Sequence, residues 1–259
     1  MGGAPRRRAR AVRCGVRLLS PGRVHVGCAT WAIGSANDHL LPRVPGGNLA
    51  RYAARLIAAE VNSSFHRQHR PQTWGRWARS VGPSFRFSVK LPKTITHERR
   101  LVDADDLLAA FAGEVRMLGD KLAVVLVQTP PSLAFDADLL CAFHERLVAA
   151  VPGAAVALEP RHPSWFEDEV EALLAGRRIA RVAADPAVVP RAAEAGGWEG
   201  LRYFRLHGSP VTYRSPYDDA FLDALAARLR PGDWCIFDNT ASGAALPNAL
   251  ALLRRLRDR

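Results

Sequence analysis

The stretch ALEPRHPSW, residues 157–165, joins the end of an apolar run to a group of polar and charged side chains. The alanine and leucine complete a run that is typical of a buried strand, and Glu159, Arg161 and His162 follow without a linker. Two prolines stiffen the same turn, so these polar groups would need little further ordering when a ligand binds. A continuous apolar strand of this kind is typical of a parallel sheet covered on both faces.

The run before Glu159 is one of eight apolar runs that are rich in β-branched residues. They begin at Val24, Ala58, Phe85, Lys121, Ala154, Arg178, Leu201 and Trp234. Amphipathic stretches that predict helices lie between most of them, at residues 49–57, 72–79, 103–118, 136–150, 167–174, 218–229 and 246–256. Asp103 is a candidate helix cap, and residues 186–197 are the weakest helix candidate.

Strands and helices therefore alternate at intervals of roughly 30 residues, which is typical of βαβ units. Eight such units match the size of a (β/α)8 barrel. We predict a single TIM-barrel-like α/β domain over residues 23–259, because no low-complexity linker divides the chain. A doubly wound open sheet is the alternative, but the glycine-rich turn of such folds does not follow Thr30.

The charge of the chain is concentrated near its start. The formal net charge is +11, and residues 1–23 hold seven arginines and no acidic residue. We predict that residues 1–22 are a basic, disordered extension, which could contact nucleic acid through phosphates, although that partner is not favoured. No apolar run approaches the roughly 20 residues that span a membrane. We expect a cytoplasmic protein with a small-molecule substrate and no membrane partner, and leave its oligomeric state open.

In a barrel, catalytic side chains lie at the carboxyl ends of the strands and in the loops that follow. Nearly every predicted strand ends in polar residues, which is more than barrel packing requires. The catalytic candidates are Glu60, Glu159, Asp185 and His207. The substrate-binding candidates are Lys90, His97, Gln128, Arg161, His162, Arg205 and Asn239. We expect eight of them to converge on one pocket, namely Glu60, Lys90, Gln128, Glu159, Arg161, Asp185, Arg205 and His207.

Several of these candidates also have a purely structural interpretation. Glu60 and Lys90, on neighbouring strands, could form a buried ion pair. Arg161 could brace its loop by pairing with Asp185. His207 could be a core histidine that donates to a backbone carbonyl.

Seven motifs, in order from about Val24 to the C-terminus, resemble those of the YecE-like family, domain of unknown function 72. They are GCATWA from Gly27, EVNSSFHR from Glu60, FRFSVKLPKTITHERRL from Phe85, LVQTPPSLAFD from Leu126, EPRHPSW from Glu159, YFRLHG from Tyr203 and FDNTASGAALPNAL from Phe237. The resemblance implies a TIM-barrel-like fold and no particular activity. The chain departs from the family pattern at residues 28–30, where GTSGW is usual, at Asp238, where asparagine is usual, and at His66, where tyrosine is frequent.

The first functional hypothesis is an enzyme, a hydrolase, lyase or isomerase, that uses no cofactor. It would act by acid–base chemistry on a small phosphorylated, carboxylated or sugar-like substrate. Lys90, Arg161 and Arg205 would hold the anionic group, while His97 or His207 would carry protons.

Three alternatives remain. Glu159, Asp185, His207 and Asp238 could bind a divalent metal ion, as in sugar-isomerase and endonuclease-type barrels. The chain could bind nucleic acid through its basic extension, or it could be a scaffold without chemistry. The four cysteines form no CxxC pair and no zinc-finger spacing, so a structural zinc site is not indicated.

Overall fold

The computed structural model describes residues 22–258, so nearly all of the predicted basic extension lies outside the described residues. Within that range there are ten strands and seven α-helices. The strands are β1 His25–Cys28, β2 Ala58–Val61, β3 Arg86–Lys90, β4 Leu122–Gln128, β5 Ala155–Glu159, β6 Ile179–Arg181, β7 Ala183–Asp185, β8 Gly196–Gly197, β9 Tyr203–Leu206 and β10 Trp234–Phe237. The helices are α1 Gly47–Ala53, α2 Pro71–Arg79, α3 Asp105–Val115, α4 Ala137–Ala150, α5 Asp168–Gly176, α6 Asp219–Arg228 and α7 Ala245–Arg257. Short 3-10 helices lie at Ser35–Leu40, Ser63–Phe65, Arg116–Lys121, Pro163–Phe166 and Pro190–Ala193, and a π-helical turn lies at Thr94–Glu98.

The strands form two sheets in an α/β fold. One sheet has the order β1-β10-β9-β7 and the other has the order β2-β3-β4-β5-β6-β8. Every described pairing is parallel except that of β6 with the two-residue strand β8. All eight predicted apolar runs contain a strand, so the predicted α/β fold is confirmed.

The sixth apolar run joins the two sheets. Its first half, β6, pairs with β5, whereas its second half, β7, pairs with β9. Between them, the amide of Val182 donates a 2.9 Å hydrogen bond to the carbonyl of Leu158. One continuous stretch of backbone therefore belongs to both sheets.

On the opposite side, the hydroxyl of Tyr52 bridges β1 and β2. It accepts from the amide of Cys28 and donates to the carbonyl of Ala58, at 2.8 Å in each case. Only glycine fits at Gly27, because a Cβ there would lie 2.3 Å from the carbonyl oxygen of Ala58. A buried phenol thus replaces part of the ladder between these strands.

Alternation along the strands creates two cores. Small and branched side chains such as Val124, Leu126 and Ile236 form an inner cluster, and the other face of each strand packs in the larger cluster with the helices. The inner space is also filled by stacked rings of His25, Trp234 and Tyr203, with centroids 5.0 and 5.7 Å apart. Because the interior is packed, polar side chains gather at the carboxyl ends of the strands.

Local sequence patterns explain some helix starts and not others. Asp136 caps α4, since its carboxylate accepts from the amide of Leu139 at 2.9 Å. Asp103 does not cap α3, whose N-cap is Ala104. Residues 186–197 are not a helix but contain a short 3-10 helix and β8. Among the described residues, no helix has the length and apolar character that crossing a membrane requires.

Candidate functional site

Arg205, on β9, is the centre of a buried polar network at the carboxyl ends of the strands. Its guanidinium donates to both oxygens of Glu60, at 2.6 and 3.0 Å. It also donates to Glu159 at 2.6 Å and to Asp238 at 2.9 Å. The side chain has no exposed surface. One guanidinium therefore joins the ends of β2, β5, β9 and β10.

The alternation of the strands explains why these side chains meet. Arg205 lies between Phe204 and Leu206, both of which pack in the outer core. Glu60 likewise lies between Ala59 and Val61, two further members of that core. Because successive side chains point to opposite faces, Arg205 and Glu60 point to the inside.

His207 lies between two carboxylates of this network. Its Nε2 is 3.1 Å from Glu159, and its Nδ1 is 3.1 Å from Asp238. Arg161 follows β5, forms an ion pair with Glu159 and places Nη2 2.8 Å from Nε2 of His207. The imidazole therefore lies between two carboxylates and beside a guanidinium.

The charges in the network keep its carboxylates ionised. Burial alone would raise the pKa of Glu159, but Arg205, Arg161 and His207 hold it well below its usual value. Burial also acts to raise the pKa of Asp238, but Arg205 and His207 lower it overall. Burial would lower the pKa of the Arg205 guanidinium, which Glu159 and the other carboxylates instead raise well above its usual value. Glu159 and Asp238 therefore act as anions near neutral pH.

Lys90, at the end of β3, differs from the two arginines. Its side chain is 6% exposed, and within residues 22–258 its ammonium has no hydrogen-bond or ion-pair partner. The Nζ atom lies 4.0 Å from the centre of the Phe65 ring. Burial and then the charge of Arg205 lower the pKa of Lys90 to about 8, against the opposing effect of Glu159 and other carboxylates. The expected Glu60–Lys90 ion pair is absent, since Glu60 pairs with Arg205.

Three predicted site residues support loops instead of joining the network. Asp185 accepts a 2.6 Å hydrogen bond from the hydroxyl of Tyr217, so it neither meets Glu159 nor pairs with Arg161. Asn239 donates to the carbonyl of Ser215 and to the side chain of Asn248, both at 3.0 Å. The ring of His162 contacts Ser164 in the turn that His162 itself begins. Of these three, only Asp185 was expected to converge with the other candidates, and Tyr217 binds its carboxylate instead.

Two further candidates lie beside the network. Gln128 is the register partner of Glu159 on the neighbouring strand β4, and its buried Oε1 has no hydrogen-bond partner among the described residues. His97 lies on the π-helical turn after β3, with its ring 5.0 Å from that of Phe65. Burial and the charge of Lys90 both lower the pKa of His97. These positions are compatible with the predicted substrate-binding roles.

The alternative metal site does not form in this structure. Asp185 is held by Tyr217, while Glu159 and Asp238 both accept hydrogen bonds from Arg205. Among the described residues, no group of three or more histidines, cysteines, aspartates or glutamates has a geometry that could hold a metal ion. The residues present therefore do not fit the alternative metal site.

Two tyrosines belong to the site although they were not among the predicted residues. Tyr203 donates a 2.9 Å hydrogen bond to Glu60 from the inner face of β9. Tyr213, 46% exposed, packs against His207 in a T-shaped arrangement, with the two ring centroids 5.7 Å apart. Strand alternation could have identified Tyr203, two residues before Arg205. Tyr213 belongs to the loop after β9, and its position depends on how that loop folds.

The sequence of this chain is similar to those of a known family. A family model described as "Protein of unknown function DUF72" matches residues 25–259. The chain belongs to the DUF72 family. Two Escherichia coli proteins named UPF0759 protein YecE are 24% and 28% identical to it over 178 residues, which are 68% of this chain. The matched region spans 58% of the length of each of these relatives.

Solved structures support the same fold. A DUF72 protein from Enterococcus faecalis superposes with a TM-score of 0.72 at 19% identity, over 91% of this chain and 96% of that one. A DUF72 protein from Thermotoga maritima gives 0.71 at 24% identity, over 90% and 99%. D-psicose 3-epimerase, crystallised in the presence of D-fructose, gives 0.50 at 10% identity, over 83% and 91%. These similarities show a TIM-barrel-like fold for this DUF72 chain.

Proposed function

We propose that this DUF72 protein is an enzyme that acts by acid–base chemistry on a small anionic or sugar-like molecule at the carboxyl ends of its strands. The observation that carries the proposal is the position of His207 between Glu159 and Asp238, two carboxylates that Arg205 keeps ionised. A fixed imidazole beside fixed charges is a common arrangement for proton transfer in enzymes.

The roles of the acidic residues follow from their contacts. Glu60 is fully buried and bound by Arg205 and Tyr203, so it positions the guanidinium instead of meeting a substrate. Glu159 is the anion that orients His207 and Arg161. His207 is then the group that accepts and returns the substrate proton.

The charge balance of the site favours a substrate with an anionic or electron-rich group. Arg205 is committed to three carboxylates and Arg161 to Glu159. Lys90 is the cation beside the network that has no hydrogen-bond or ion-pair partner within residues 22–258, although its ammonium lies against the ring of Phe65. A carboxylate, phosphate or carbonyl oxygen would supply that partner.

The test is proton exchange between a substrate panel and solvent. The full-length protein is incubated in D2O with D-fructose and D-fructose 6-phosphate, a neutral and an anionic form of one sugar, and with small hydroxy acids. NMR then measures deuterium at carbon. We expect enzyme-dependent exchange that is greater for the anionic compounds, and absence of exchange across the panel would refute the proposal.

Variants then assign the exchange to the site. Glu159→Gln should lower the exchange rate by roughly two orders of magnitude or more, because His207 loses the anion that orients it. Glu171→Gln is the matched control, since Glu171 is the carboxylate partner of another buried arginine, Arg181. If both variants exchange at the wild-type rate, the role of Glu159 and His207 is wrong.

A further inference from the structure

Lysine is rare in this chain, whose basic residues are almost all arginine. Of the 36 lysines and arginines, only three are lysine: Lys90, Lys93 and Lys121. Arginine remains protonated at any physiological pH, whereas lysine can lose its proton in a buried site and then act as a nucleophile. A buried lysine in an arginine-rich chain is therefore informative.

The other two lysines are engaged by the protein. Lys93 is exposed and forms an ion pair with Glu98 at 3.1 Å. Lys121 donates to the backbone carbonyls of Val81 and Gly82, at 2.5 and 3.0 Å. Lys90 alone of the three has no such partner among the described residues.

The surroundings of Lys90 make its amine easier to deprotonate than that of an exposed lysine. The amine lies against the face of Phe65, and Arg205 adds positive charge nearby. Half-buried His97 stands beside it and can carry a proton. The backbone of Lys90 is fixed by Ser64, whose hydroxyl donates to its carbonyl at 2.6 Å. A held, weakly solvated amine next to a proton carrier is the arrangement of a nucleophilic lysine.

We propose that Lys90 forms an imine with the carbonyl carbon of a small aldehyde or ketone, such as an open-chain sugar or a keto acid. This inference rests on the proposed function, because it specifies the substrate class of the same site. It assigns Lys90 a covalent role and leaves proton transfer at the substrate to His207.

The chemistry balances without a cofactor. The neutral amine attacks the carbonyl carbon, so that a C–N bond forms and the C–O π bond breaks. The oxygen takes up a proton, and the product is a carbinolamine. The oxygen then leaves as water, which contains the carbonyl oxygen and both amine hydrogens. The resulting imine takes up one proton and becomes an iminium ion. Its charge equals that of the original ammonium, so the positive charge near Glu159 and Asp238 is the same before the amine loses its proton and after the iminium ion forms.

Reductive trapping tests the proposal. The folded full-length protein is treated with glycolaldehyde and sodium cyanoborohydride, which convert an imine into a hydroxyethyl amine. Peptide mass mapping with fragmentation measures the modification of each lysine. We expect Lys90 to react roughly tenfold faster than Lys93 at pH 7, because more of its amine is neutral. Its rate should rise with pH and be half-maximal near pH 8.

Two variants make the result decisive. Lys90→Arg keeps the positive charge and should remove the fast modification, whereas the control Lys93→Arg should leave it unchanged. Modification of Lys90 only after denaturation, while Lys93 reacts in the folded protein, would overturn the imine proposal. If trapping fails in this way but the wild type still exchanges deuterium, the proposed acid–base function stands without the imine. If Lys90 is trapped but no deuterium exchange occurs, the proposed acid–base function alone is overturned.

Discussion

Two buried arginines occupy very different surroundings. Arg181, 2% exposed, pairs with the single carboxylate of Glu171 and donates to the backbone carbonyls of Arg191 and Glu194, at 3.2 and 3.0 Å. Arg205, with no exposed surface, contacts three carboxylates from three other segments. One carboxylate and a few carbonyls are thus sufficient to bury an arginine in this protein. The additional anions around Arg205 exceed that structural need, which is why we regard its network as functional.

The largest loss of stability should come from replacing Arg205 by methionine, and Arg181→Met provides the comparison. Arg205→Met leaves three buried carboxylates without their shared cation, and we expect a loss of about 3–5 kcal/mol in the free energy of unfolding. Arg181→Met leaves one carboxylate and should cost about 1–3 kcal/mol. Urea denaturation at pH 7 measures both.

A variant of Arg205 that does not fold would still be informative. Adding Glu60→Gln removes one of the uncompensated charges and should recover part of the stability. Equal losses for Arg205→Met and Arg181→Met would show that the two regions do not differ as described.

The loss of stability at acid pH should differ between variants of Glu159, a partner of Arg205, and of Glu171, the partner of Arg181. Because the folded-state pKa of Glu159 lies well below the usual 4.5, its contribution is fully present above about pH 4.5 and is lost as the pH falls through the folded value. Glu159→Gln should therefore cost about 2–4 kcal/mol at pH 7 and flatten the decline in stability towards pH 2.

Glu171→Gln provides the comparison for this measurement, again by urea denaturation from pH 2 to 7. We expect it to change the acid limb less, since Glu171 serves one arginine and keeps 17% of its side chain exposed. A smaller change in the loss of stability at acid pH for Glu159→Gln than for Glu171→Gln would contradict the charge distribution described above.

The alkaline limb should report on Lys90. Its pKa is lowered from 10.5 to about 8 in the folded protein. Between these values the unfolded chain binds more protons than the folded chain, so stability rises with pH. Relative to Lys90→Met, the wild type should gain about 1–3 kcal/mol from pH 8 to 10.5. A constant difference between the two proteins across this range would show that the amine is not perturbed.

The smallest effect on stability is expected for Tyr213→Phe. The phenol of Tyr213 is half-exposed beside His207, so its loss should change the free energy of unfolding by about 0.5 kcal/mol or less. Tyr203→Phe should cost about 1–2 kcal/mol, because Glu60 then loses a buried donor. Thermal unfolding of both variants checks the difference, and a larger loss for Tyr213→Phe would refute it.

The fold could be predicted from the sequence because every strand except the two-residue β8 lies in an apolar run that can be recognised, and the spacing of the runs indicates βαβ units. The central network could be predicted in part, since Glu60, Glu159 and Arg205 follow apolar neighbours in strict alternation. Asp185 could not be excluded, because its direction depends on the change of sheet at Val182. The position of Tyr213 beside His207 could not be predicted either, because residue periodicity does not determine loop conformation.

The pairing of β1 also has a consequence for synthesis of the chain on the ribosome. Its ladder partner, β10, is made about two hundred residues later, since His25 is in register with Trp234. The Tyr52 hydroxyl, which contacts both Cys28 and Ala58, emerges far earlier. The first strand thus has a partner close to it in sequence that can hold it until β10 is translated, and β10 then completes its hydrogen bonding.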